Sequence, residues 1–455
     1  MNALESQVER VASSSVSEGA LHGLIAELYP ICRSITGNGV RETLRRLNAY
    51  LPLAVSEVPS GTPVFDWTVP REWNIRDAWI ANGAGDRIVD FRQSNLHVVS
   101  YSVPVHATIP LTELRSHLHT LPDRPDWIPY KTSYYQESWG FCLRAEQLRM
   151  MTDPVYEVCI DSTLEDGYLT YGECYIPGET EDEVLLSCHV CHPSLCNDNL
   201  SGIAVAVFLG RWLSTLPTRR FSYRILFIPG TIGAITWLAR NQDRLSVIRH
   251  GLVLTGVGAP GPLVYKRSRR GNTEIDRSAA HVLQHSGVEF SVRDFVPYGY
   301  DERQYCSPGM NLAVGCLSRT PFGEYPEYHT SADNLDFVAP ATLEESYRAA
   351  RSIIEILERN ATYLSCNPMC EPQLGKRGLY GAMGGAGFTR SQEMALLWVL
   401  NLCDGAHSLL DIAERASLPF ASISNAASLL EQHGLIRLTT SAEPIALAER
   451  ANADR

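Results

Sequence analysis

The stretch Glu183–Gly202, EVLLSCHVCHPSLCNDNLSG, limits what this chain can fold into more than any other. Val184 to Leu186 is an apolar run bounded by polar residues, the pattern of a buried strand. It delivers His189 and His192 into a loop of Pro, Ser and Asn; Asp198 follows, and then SGIAVAVFL from Ser201 predicts a buried helix. Strand, short polar loop and apolar helix are the opening of an α/β sheet, and such sheets place ligands at the carboxyl ends of their strands. Two imidazoles and a carboxylate at that edge are donors that suit a divalent transition metal. The same residues would also serve as hydrogen-bonded loop histidines and a helix cap. Spacing alone leaves both readings open.

A chain of 455 residues has room for two or three domains, and 45% hydrophobic with 20% charged residues marks an ordinary globular protein. A net charge of -12 argues against nucleic acid as a partner. The first residues, MNALESQVERVASSS, lack a basic region followed by an apolar core, so no secretory signal is expected. No apolar run approaches the roughly 20 residues that span a bilayer, so no membrane partner is expected either. Twelve cysteines are then read as reduced thiols of a cytoplasmic protein. Cys188, Cys191 and Cys196 crowd the histidines, but no pair of Cys-x-x-Cys knuckles argues for a structural zinc site.

Four regions are expected. Residues 1–54 carry two short helices, the first with a stripe of Leu21, Leu24, Ile25 and Leu28 that Pro30 stops. Residues 55–152 alternate short β-like runs with Pro and Gly and are dense in aromatics, including Trp67, Trp73, Tyr134 and Trp139. They predict a β-rich insert whose rings form either a packed core or a wall over a substrate. Residues 153–373 alternate strand and helix, the pattern of a largely parallel, helix-wrapped sheet. Within them Thr342 and Glu345 form a capping-box signature for a helix running to about Asn360. Residues 374–455 begin with a Gly-rich linker at 381–387, then give three helices and a strand in winged helix-turn-helix order. No Lys or Arg lies between Arg415 and Arg437, so the third helix has nothing to neutralise phosphates, and packing or protein contact is the expected role.

Several segments together carry a family resemblance: ICRSITG from Ile31, FDWTVPREWNIRDAWI from Phe65, IPYKTSYYQESWGFCL from Ile128, CHPSLCNDNLSG, DERQYCSPG from Asp301 and YPEYHTSADN from Tyr325. Over nearly its full length the chain resembles a bacterial aminopeptidase-like family, often encoded beside polysaccharide or natural-product biosynthesis genes. That family is related to the co-catalytic zinc exopeptidases of the aminopeptidase and glutamate-carboxypeptidase type. The resemblance implies an α/β fold with a zinc-exopeptidase-like mixed sheet flanked by helices, a β-rich insert and a C-terminal winged helix.

In those exopeptidases a strand-end His and an Asp opening the next helix bind metal, a Glu acts as general base, and a further Asp and a late His complete the site. Carried over, the resemblance implies His192 or His189 as the first ligand, Asp198 as the bridging carboxylate and His329 as the late His. Two positions depart from the pattern: Gly230 stands where Glu is expected and Ala259 where Asp is expected. Neither side chain can bind metal or move a proton. Asp301, Glu302, Glu324 and Glu327 flank the inferred pocket and could substitute, the first three as candidate catalytic carboxylates, each equally readable as a salt-bridge partner. Cys306 is more simply a small buried hydrophobe.

The implied cofactor is one zinc ion. The implied substrate is a small molecule or short peptide carrying an amine, and self-association is left open. Two functions are therefore carried forward: a zinc-dependent hydrolase of an amide or peptide bond, and a repurposed biosynthetic enzyme or binding protein with a degraded metal site.

Overall fold

The computed structural model describes residues 19–379 and 390–439; the Gly-rich stretch at 381–387 lies outside them. Chain contacts divide it into two units, one of Met1–Asp276 with Val288–Ala350 and one of Arg277–Gly287 with Arg351–Arg455.

The first unit is organised on an eight-stranded mixed sheet. Its strands, labelled in chain order, are β1 (Ala54–Pro59), β2 (Tyr168–Ile176), β3 (Glu183–His189), β4 (Ser222–Ile228), β5 (Ile248–Leu254), β6 (Leu263–Lys266), β7 (Phe290–Arg293) and β8 (Val314–Arg319). Their spatial order is β1-β2-β4-β3-β5-β8-β6-β7. The centre, β4-β3-β5-β8, is parallel. The flanking pairs β1/β2, β2/β4 and β6/β8 are antiparallel. All seven residues of β3 are buried, which explains why its sequence is an apolar run and not an alternation. The helix Gly202–Thr215 that follows buries most of its length against the sheet, and Gly202 touches the carbonyl of Leu254 so closely that a Cβ there would lie 2.3 Å from it.

A second sheet of four strands has its two long members at Glu72–Ala81 and Val155–Glu165, flanked by Arg87–Asp90 and Val105–Pro110. Its buried residues, among them Trp73, Val158 and Ile160, join the same apolar core as Leu226, Ile228 and Trp237 of the large-sheet layer. Of its aromatics, Trp73 is buried in the core and stacks on Tyr101, whereas Trp67 and Tyr135 are about half exposed.

The capping box expected at Thr342 does not form. The helix begins two residues earlier, at Pro340, so Thr342 sits inside the first turn and its hydroxyl donates to the carbonyls of Gly258 and Ala339. Glu345 instead pairs with Arg319. The long-range partners outcompete the local one.

In the second unit, helices Arg390–Leu402, Leu409–Ala416 and Phe420–Gln432 pack around Leu396, Val399, Leu410, Ile423 and Leu430. A three-stranded antiparallel sheet, Asp404–Ser408, Thr362–Ser365 and Ile436–Leu438, completes the winged helix. A capping box does form here: Ser408 Oγ accepts from the Asp411 amide while the Asp411 carboxylate accepts from the Ser408 amide.

Candidate functional site

Strand β3 ends in His189 at the carboxyl edge of the parallel strands, and the CHP loop returns His192 to the same place. The polypeptide then makes an irregular turn, Cys196–Ser201, that carries Asp198 inward before the helix starts at Gly202. His189 Nε2 lies 2.8 Å from Asp198 Oδ1, and His192 Nε2 lies 3.9 Å from Oδ2. His329, from the YHTS segment 131 positions further on from Asp198 (329 − 198), brings its Nε2 to 3.0 Å from the same Oδ2. The three imidazoles expected from the sequence therefore gather around one carboxylate.

All of these groups except half-exposed His329 are almost wholly enclosed. Burial opposes the charge of Asp198, yet His192, His189 and His329 around it hold its carboxyl well below the usual range. Burial pushes His192 down to about 3, so its imidazole is neutral and its lone pair available. Ligand atoms of His189, His192 and Asp198 all lie within 4.8 Å of one another. His329 Nε2 is buried without a hydrogen-bond partner although it is 3.0 Å from a carboxylate oxygen, and His189 Nδ1 is likewise unpartnered. Imidazole nitrogens converging on a carboxylate, one close to it yet not aligned to donate, are a donor set that fits a divalent ion.

The scaffold behind these side chains is tied by hydrogen bonds between distant segments. Asp333 accepts from two consecutive amides, Asn197 N at 2.6 Å and Asp198 N at 3.0 Å, which fixes the turn carrying Asp198. Arg33, buried in the first unit, donates Nε to the His192 carbonyl and Nη1 to the Leu28 carbonyl. Ile128 and Ser331 exchange hydrogen bonds, and Tyr130 N donates to the His329 carbonyl at 2.7 Å. That bond pins His329 at φ 55°, a left-handed conformation costly for a side chain bearing a Cβ. The Tyr130 ring meets both His192 and His329 edge-on.

The two departing positions have distinct local structures. A Cβ on Gly230 would lie 3.1 Å from His189 Cβ, 3.4 Å from the Tyr300 ring and 3.5 Å from Asp301 Oδ1. Tyr300 occupies this space: its ring stacks on His189 at 3.9 Å and its hydroxyl donates to Asp198 Oδ1 at 3.1 Å. Ala259 is fully buried, and its amide and that of Gly258 both donate to Asn197 Oδ1 at 2.8 Å.

Among the candidate carboxylates, Asp301 is buried beside Gly230 with Oδ1 unpartnered, and burial with the neighbouring Glu302 pushes it up to about 8. Glu302 is fully buried in an ion pair with Lys266, and Glu324 pairs with Arg293 at the surface. Glu302 and Glu324 line one cavity of about 300 Å³ together with Asp198 and Tyr300. Cys306 is buried and donates to backbone carbonyls, as a small core residue does. Tyr300, Tyr130, Arg33 and Asp333 carried no role in the sequence reading; three lie inside motifs singled out there, but single aromatic or charged positions have no spacing to betray them.

A mixed sheet flanked by helices, with this cluster at the carboxyl edge of its parallel centre, defines an aminopeptidase-like α/β protein with a C-terminal winged helix. The comparisons agree. Residues 22–360 match a family model described as a domain of unknown function, DUF4910, and residues 361–438 match a winged helix-turn-helix model. The chain belongs to the DUF4910 family. It is 53% identical over 428 residues, 94% of this chain and 98% of the relative, to a Clostridium acetobutylicum protein named "Putative polysaccharide biosynthesis protein with aminopeptidase-like domain". It is also similar to the crystal structure of a "putative peptidase" from Clostridium acetobutylicum, with a TM-score of 0.90 and 51% identity over 96% of this chain and 100% of that one. A zinc aminopeptidase from Bacillus subtilis shares the fold alone, with a TM-score of 0.55 and 11% identity over 74% of this chain and 94% of that one.

Proposed function

We propose that this protein is a metal-dependent hydrolase that cleaves an amide bond of a small substrate in polysaccharide assembly. The observation that carries this reading is the convergence of His189, His192 and His329 on Asp198 at the sheet edge. A divalent ion bound there would acidify water and polarise an amide carbonyl. His189, His192 and Asp198 would hold it, with His329 on the second oxygen of Asp198. Three protein donors with a free position are the usual count for a catalytic zinc site, so loss of the carboxylates at Gly230 and Ala259 is compatible with one ion in place of two.

The reaction adds water to the amide carbon and breaks the C–N bond, and the amine leaves with a proton. Tyr300 lines the cavity, and its hydroxyl would donate to the developing oxyanion on turning its single proton away from Asp198. Asp301, with its free Oδ1 beside the Gly230 position, is the carboxyl placed to handle the proton. The link to polysaccharide assembly rests on the name of the Clostridium relative.

The test is metal analysis of protein purified without chelator, followed by assay of amine release from aminoacyl and N-acyl substrates with zinc added. Stoichiometric zinc and zinc-dependent release are expected. Protein that neither retains zinc nor regains it on addition would overturn the reading. That result would favour the second function, a binding protein or non-hydrolytic enzyme, for which the filling of the Gly230 space by Tyr300 is the specific support.

A further inference from the structure

The cavity beside Asp198 has walls and a floor of different chemistry. Its walls are aromatic: Phe322 lies 5.4 Å from Tyr298, 5.9 Å from Tyr300 and 5.7 Å from Tyr328, centroid to centroid. Two of these rings continue directly into the cluster, Tyr300 stacking on His189 and Tyr328 on His329, each at 3.9 Å. The collar therefore places its contents next to the Asp198 carboxylate.

Charged side chains in matched pairs also line the cavity. Lys266 pairs with fully buried Glu302, and Arg293 pairs with Glu324. The Lys266 ammonium has three N–H donors; one goes to Glu302 and one to the Tyr298 carbonyl, and the ammonium also lies 5.8 Å from the centre of the Phe295 ring. The loop is built closely onto this pair: a Cβ on Gly299 would lie 1.9 Å from Glu302 Oε1 and 2.4 Å from Lys266 Nζ. Thr255, Ser318 and Thr320 add hydroxyls.

A pocket for an apolar amino-acid side chain would not be lined by two ion pairs, which offer donors and acceptors to a neutral ring; Asp198 and the exposed Asp294 make the rest of the charged lining acidic, which disfavours an anion. Aromatic walls hold a ring whose C–H bonds, partly positive, meet the negative ring faces. The volume, about 300 Å³, is at the small end for ligand pockets and matches one ring with a substituent.

We infer that this cavity binds a single neutral sugar ring carrying an N-acyl group, the ring in the aromatic collar, its hydroxyls on the Lys266–Glu302 and Arg293–Glu324 pairs, and the amide at Asp198. The position of the amide rests on the hydrolase reading; the sugar ring in the collar does not.

The experiment titrates N-acetylglucosamine and N-acetylgalactosamine into the full chain by calorimetry, with and without zinc, against N-acetylphenylalanine amide and N-acetylleucine amide. One of the sugars is expected to bind the chelated protein with a Kd of about 1 mM or tighter, and neither amino-acid amide to bind below about 20 mM. Tyr298, 71% exposed, is removed without cost to folding, so Tyr298→Ala should weaken the sugar about 3- to 10-fold, and Phe322→Ala similarly. Preference for the amino-acid amides, sugar binding only with zinc, or affinity indifferent to both substitutions would overturn the inference.

Acetate release is then followed with zinc present. Sugar binding without release keeps this inference and removes the hydrolase reading. Cleavage of aminoacyl substrates without sugar binding does the reverse.

Discussion

The edge of the large sheet and the core of the winged-helix unit bury polar groups for opposite ends. In the winged-helix unit Ser408 and Asp411 cap one helix, His281 Nε2 accepts from the Phe420 amide at the start of another, and Ser278 Oγ is left without a partner. At the sheet edge, His189 Nδ1, His329 Nε2 and Asp301 Oδ1 are buried without partners. Each such atom costs about 1–3 kcal/mol. Among the described residues, three such atoms thus stand together at the sheet edge against one in the winged-helix unit. This contrast can be broken by experiment.

The largest effect is expected at the edge. His189→Ala or His192→Ala should abolish zinc retention, read by elemental analysis, and lower amine release at least about 10³-fold, as losing a preorganised electrostatic group does. Zinc retained at full stoichiometry in both variants would remove these histidines from the metal site. In the winged-helix unit, Leu410→Ala should instead cost about 2–5 kcal/mol in denaturant unfolding and leave zinc content unchanged, since Leu410 is fully buried among apolar neighbours.

Smaller effects sharpen the contrast. Gly230→Glu alone should destabilise the protein by about 1–3 kcal/mol through overpacking against His189 and Tyr300. Combined with Tyr300→Ala, the new carboxylate gains room, and stability should recover. A double variant no more stable than the single would show that Tyr300 is not what fills the space.

The smallest effect is a pH dependence in the winged-helix unit. Burial, with the charges of His285 and Arg277, lowers His281 from its ordinary 6.5 to about 4. The unfolded chain thus takes up this proton first, and stability contributed by neutral His281 should fall as pH drops from about 6.5 toward 4 and be constant above that window. Protonation also removes the acceptor for the Phe420 amide. Thermal unfolding of His281→Gln should show a shallower slope across that range; an unchanged slope would assign the dependence elsewhere.

Much of the fold was legible because its signals are long or repeated. The β3 run, the apolar helix from Gly202 and the three C-terminal helices each occupy many positions of one pattern. The meeting of His189, His192 and His329 about Asp198 was legible from residue types at a strand end and through family resemblance. What was not legible depends on contacts between segments far apart in sequence. Asp333 holding the amides of Asn197 and Asp198 leaves no local trace, nor does Tyr300 filling the space beside Gly230. Thr342 shows the converse: a local signature was present, and a carbonyl 84 positions away, on Gly258, claimed the hydroxyl.

The exchange between Ile128 and Ser331, with Tyr130 N on the His329 carbonyl, makes the insert a latch on the last histidine. The insert is therefore not an ornament that could be trimmed while leaving the histidine cluster intact. A shortened chain lacking residues 128–131 would lose the backbone partner that keeps His329 in its left-handed conformation. Grafting between relatives should move this tetrapeptide and the YHTS segment together or not at all.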